Sequence, residues 1–158
     1  VLNSVPYMED RRQIVCICAA LADHNTRLYA VASARNHVNL KQINGYHSLN
    51  DRQSTSPSFE LDYEKGVILS NLSQKPKAQK YHSQREFYDL FKEFFEVVQI
   101  TESNSNVQAI CAKPRKVDKK KLKEALEFEF DLPYPDGSRM GMVDEAKRAF
   151  SNRLGIKL

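Results

Sequence analysis

An α+β fold spanning residues 1–158 as one domain, with an antiparallel or mixed sheet of five to six strands and two main helices packed on it, follows from three features of the sequence. The first is a long amphipathic segment. Phe87, Leu90, Phe91, Phe94, Phe95 and Val98 recur at helical spacing, with Arg85, Asp89, Lys92, Glu93 and Glu96 opposite. The second is a set of short β-favouring stretches divided by polar turns. The third is composition: 158 residues, 41% hydrophobic and 28% charged, are ordinary for a folded domain with one sizeable core.

Taken in order, the chain begins at Val1, which suits an excised domain or a processed product, and its first residues do not read as a signal peptide. Arg12–Ala22 contains a nine-residue apolar run from Ile14 to Ala22. That is too short to span a membrane, which takes about 20 residues, and it predicts a strand covered on both faces. The polar turn Asp23–Thr26 and the apolar Arg27–Ala34 complete an expected hairpin. A short helix is expected around Asn36–Ile43, and a polar loop over His47–Ser58. Phe59, Leu61 and Tyr63 alternate with acidic residues as a half-exposed strand does, with Val67–Leu72 as its partner beyond Gly66.

Gln74–Lys80 reads as a connection. Ser83 and Glu86 then form a capping box for the helix Ser83–Val98. Val107–Ala112 follows the turn Ser103–Asn106 as a strand, and Asp118 caps a lysine-rich helix to about Ala125. Leu126, Phe128, Phe130 and Leu132 alternate with Glu127, Glu129 and Asp131, which predicts a strand ended by Pro133. A last helix runs over Val143–Leu154 and closes at Gly155, with acids at its start and Arg148 and Arg153 near its end, as the helix dipole favours.

Several function classes are excluded by what is missing. The three cysteines, Cys16, Cys18 and Cys111, cannot all pair within the chain, and they read as reduced core residues in a cytoplasmic or other reducing compartment. No Cys-x-x-Cys and no His spacing suits a metal, so no metal site is expected. Five glycines form no phosphate-cradling loop, and no cofactor is expected.

Basic residues are the strongest cue to a partner. Lys113, Arg115, Lys116, Lys119, Lys120 and Lys123 crowd one stretch, and Lys77, Lys80 and Arg85 flank Tyr81 in another. Cations of this kind pair with phosphates, and a tyrosine can stack on a base. The leading expectation is a nucleic-acid-binding domain, with action on RNA as its extension. A metal-independent ribonuclease would draw on His47 and His82. An acidic protein partner meeting the same lysines, or the His47–Ser58 loop, is a further reading, and no membrane association is expected. Finally, Glu127-Phe128-Glu129 ahead of Leu132-Pro133, with Ser54-Thr55-Ser56 upstream, resembles the motifs of arginine-specific ADP-ribosyltransferases. The resemblance implies NAD as co-substrate, an arginine among Arg12, Arg27 and Arg35, Glu129 on the ribose hydroxyl and Glu127 positioning the acceptor.

Overall fold

The computed structural model describes residues 1–35, 59–70 and 75–158, with the side chains of Phe59 and Ser70 left aside. Within these residues the chain is α+β. Its strands form two separate three-stranded antiparallel sheets rather than one sheet of five to six strands. The expected short helix at Asn36–Ile43 and the polar loop His47–Ser58 lie outside the described residues.

After a 3-10 turn at Leu2–Ser4 comes α1, Met8–Leu21. This corrects the expected strand at Arg12–Ala22, and with it the hairpin. A continuous apolar run does not by itself separate a strand from a buried helix. Here Glu9 and Asp10 in the first turn and an alanine-rich end favour the helix. Its length is the other sign, because 14 residues exceed a typical strand. The run is apolar all round because α1 is covered on two sides. Val15, Cys16 and Ala19 enter the main core, while Ile17 and Ala20 also pack on a second cluster formed by Leu122, Leu126, Ala146 and Phe150.

Strand β1, Leu28–Ser33, pairs with β6, Asn106–Ala112, from Leu28 opposite Cys111 to Ser33 opposite Asn106. Strand β5, Glu96–Glu102, flanks β6 on its other side, so the order is β1-β6-β5. The β5–β6 turn falls where expected, with the Ser103 hydroxyl accepting from the amides of Ser105 and Asn106. In β6 the burial alternates, with Val107, Ala109 and Cys111 facing the core.

The second sheet runs β2-β3-β4, from Phe59–Glu60, Val67–Ser70 and Lys77–Lys80. Lys77–Lys80 was expected to be a connection and is instead the strand that pairs with β3. Gly66 (φ +80°) makes this pairing possible: a Cβ there would collide with the carbonyl of Tyr81, whose amide donates to the Gly66 carbonyl. A parallel bridge between Ala34 and His82 ties the two sheets together.

Helix α2, Gln84–Lys92, starts at the predicted capping box: the Ser83 hydroxyl accepts from the Glu86 amide, and the Glu86 carboxylate from the Ser83 amide. It stops six residues before Val98. Phe94 and Phe95 turn inward off the last carbonyls, and a bulge between Val97 and Gln99 leaves Val98 exposed on β5. Phe87, Phe91 and Phe95 are buried against β5 and β6. Helix α3, Lys119–Glu129, is capped by Asp118, which accepts from the amides of Lys120 and Lys121. It absorbs most of the segment expected to be a strand at Leu126–Leu132. In that stretch Leu126 is buried and Glu127 exposed on a helix packed on α1. Helix α4, Val143–Leu154, packs on α3 and ends at left-handed Gly155, as its sequence indicates.

No helix among the described residues is long and apolar enough to cross a membrane. Replacing Phe87 with Ala is expected to lower the unfolding free energy by about 3–5 kcal/mol. Lys119→Ala, on an exposed helix face, should stay within about 0.5 kcal/mol of the parent. Urea denaturation of both variants measures the contrast.

Candidate functional site

Two polar regions among the described residues hold sequence-named site residues: a basic groove at one end of α1, and a buried cluster of charges at the other.

The groove lies where the end of α1, the turn after β6, the start of α3 and the C-terminal residues meet. Its volume is about 450 Å3. The floor is apolar, from Ala19, Ala20, Val117, Leu122, Leu154 and Ile156, and the rim carries His24, Lys113, Arg115 and Lys116. Lys113 sits at the sharp exit from β6 with φ +46°, a left-handed conformation that is costly for a residue with a Cβ. It spans back to Glu96 at 2.8 Å. The Arg115 amide donates to the Phe94 carbonyl, and its guanidinium to the Lys92 carbonyl at 3.1 Å, so this residue is held in place. Lys116 has no ion pair among the described residues.

The remaining basic residues named from sequence divide differently. On α3, Lys120 faces Glu124 at 4.0 Å and Lys123 faces Glu127 at 3.9 Å, while Lys119 has no ion pair among the described residues. Exposed pairs of this kind contribute little to stability, but they lower the net positive charge of the face. Lys77 and Arg85 are exposed, Arg85 pairing with Asp89 at 3.0 Å. Lys80 and Tyr81 are a correction. Both were expected at the surface, yet Lys80 is 0% and Tyr81 4% exposed, so neither reaches a polyanion outside. Lys80 ends β4 turned into its ion pairs with Glu64 and Glu86, and Tyr81 beyond it packs on Ile68.

The inward turn of Lys80 creates the second region. Its ammonium meets Glu64 at 2.7 Å, Glu86 at 3.2 Å and the Lys65 carbonyl at 2.5 Å, which uses all three of its protons. Glu64 also pairs with Arg11, which is 2% exposed and donates to the carbonyls of Val5 and Pro6 at 2.8 and 3.0 Å. Glu86 pairs with Arg35 besides closing the capping box. For Glu86 burial works upward, and the Ser83 amide, Lys80 and Arg35 more than reverse it, so its carboxyl lies below the usual range.

His82 stands in the midst of this network, 1% exposed, its ring edge-on to Phe87 at 5.3 Å. Neither ring nitrogen has a hydrogen-bond partner among the described residues. Burial and the fields of Arg11, Lys80 and Arg35, against Glu86 alone, bring its pKa down to about 3, so the ring is neutral.

Of the other sequence-named residues, His47 and Ser54 lie outside the described residues, so neither the His47–His82 pair nor the Ser54 motif has a geometry here. Glu127 and Glu129 stand on helix α3, not on a strand. Two positions apart on a helix they do not face each other: Glu127 turns to Lys147 at 2.6 Å, while Glu129 is raised by burial and by Asp10. Burial also pushes the Cys16 and Cys111 thiols up to about 11, the opposite of an activated nucleophile. Sequence reasoning missed Arg11, Glu64 and Glu86 as parts of one cluster. Arg11 and Glu64 looked like ordinary surface charges and Glu86 like a helix cap alone, and only the fold brings α1, Glu64, β4 and α2 together.

Compared with protein-family models, curated proteins and solved structures, the chain matches none.

The neutral His82 makes stability pH-dependent in a definite sense. The unfolded chain takes up a proton on this residue near 6.5, and the folded chain only near 3. Stability is therefore fully present above pH 6.5 and falls by about 1.4 kcal/mol per pH unit below it, until the folded value is reached. Urea denaturation between pH 7.5 and 4.5 should show this slope, and His82→Gln should flatten it.

Proposed function

We propose that this domain binds single-stranded nucleic acid, RNA foremost, in the groove between α1, α3 and the turn after β6. The observation that carries the reading is the combination of a basic rim, Lys113, Arg115 and Lys116, with an apolar floor in one cleft of about 450 Å3. Phosphates are held by charge and counterion release along the rim. A base released from its stack covers the apolar floor, which a paired base cannot do. Lys119, at the start of α3 and without an ion pair among the described residues, extends the basic path. The backbone anchoring of Arg115 presents its charge with little loss of side-chain freedom on binding.

Fluorescence anisotropy with a short single-stranded RNA, its duplex and the DNA equivalents tests this. Binding should favour the single strands. Its logarithm should fall against the logarithm of salt concentration with a slope of about −2, the value for three phosphate contacts on a single strand. Lys113→Glu with Lys116→Glu should weaken binding at least tenfold at low salt, while Lys123→Glu, a lysine off the groove, changes it little. Absence of binding at 50 mM salt would sink the proposal.

A further inference from the structure

The cavity beside His82 is untouched by the nucleic-acid reading. Its volume is about 280 Å3, with Arg11, Lys80, Glu64 and Glu86 around the histidine and Met8 and Leu90 supplying apolar wall. A neutral imidazole has one donor and one acceptor, and leaving both unmet in the interior is costly. His82 is 1% exposed and has no partner for either nitrogen among the described residues.

The charges around the ring indicate what would meet it. Arg11 from α1, Lys80 from β4 and Arg35 after β1 face it with positive charge, and Glu86 from α2 opposes them. The other carboxylates of the cavity wall are already paired, Glu64 with Arg11 and Lys80, and Asp89 with Arg85 and Lys92. Arg11, Lys80 and Arg35 thus exceed the two carboxylates that pair with them, Glu64 and Glu86, by one positive charge, which favours an anion beside the ring.

We propose that this cavity is a binding site for a small organic oxyanion, a phosphate ester or a carboxylate, whose oxygens accept from the His82 ring and from Arg11, with the Lys80 charge close by, and whose body rests on Met8 and Leu90. An anion placed there favours the imidazolium, so binding draws one proton from solvent and both ring nitrogens become donors. The site is separate from the basic groove, which lies at the other end of α1.

Phenyl phosphate and benzoate serve as probes, followed by the 15N resonances of the His82 ring and by calorimetry in two buffers of different ionisation heat. The expected result is saturable binding of at least one probe with uptake of about one proton, and ring nitrogens shifted toward the imidazolium. The phosphate ester and the carboxylate are told apart by which binds more tightly. For benzoate, which does not titrate above pH 6, affinity should rise up to about tenfold per pH unit as pH falls from 7.5 to 6. His82→Gln should abolish the binding and keep RNA affinity, while Lys116→Glu should keep it. Ring nitrogens unmoved by tens of millimolar of both probes would overturn the proposal and leave the cavity to water. Binding lost in Lys116→Glu but kept in His82→Gln would overturn it too, by placing the anion in the groove.

Discussion

Lys80 is an ammonium without solvent contact, and much of the molecule is arranged around satisfying it. An unpaired charge in that position would be prohibitive. Glu64, Glu86 and the Lys65 carbonyl surround it, and each brings a different part of the chain. Glu64 reaches on to Arg11 and so to α1, and Glu86 to Arg35 beyond β1 and to the first turn of α2. The second sheet has a small apolar core of its own, built on Ile68 and Tyr81. These ion pairs, with the Ala34–His82 bridge, therefore do much of what apolar packing does elsewhere in fixing that sheet to the main body.

Burial and the same network keep His82 neutral. Cations recruited to hold the carboxylates also surround the imidazole, and burial removes the water that would screen them. Structural and chemical roles are thus superposed on one set of residues. At the other end of α1 the basic groove differs in kind: its cations are exposed, and its floor is apolar.

Legibility from sequence followed the locality of the cause. The capping box at Ser83, the Asp118 cap, the Ser103 turn and the Gly155 stop depend on residues within a few positions of each other, and all four occur where their chemistry places them. The segments Arg12–Ala22 and Leu126–Leu132 went the other way. A helix covered on two faces loses its amphipathic stripe. Of the four alternating apolar residues only Leu126 and Phe128 stand on α3, Leu126 buried and Phe128 exposed, so the alternation does not mark a face. Val98 extended the helical spacing beyond Glu93 because the chain turns into β5 without a break in hydrophobicity. As for the sites, the cations of the groove were visible as a cluster in sequence. Its apolar floor was not, since it takes residues from α1, α3 and the C-terminal end together. The inward turn of Lys80 depends on a strand that Pro76 and a polar composition disguised.

The pairing of β1 with β6 has a consequence for how the chain acquires its structure. The central strand of the first sheet comes late, and Leu28 waits for Cys111 while the second sheet and α2 intervene. Neither α1 nor β1 has its main partner next to it in sequence, since α1 packs chiefly on α3 and β1 pairs with β6. Closing so long a loop costs entropy before any contact repays it. The β5–β6 hairpin with α2 is the most local unit that carries a large apolar surface. It is the natural nucleus on which the N-terminal helix and strand condense, and the half of the molecule made first is completed last.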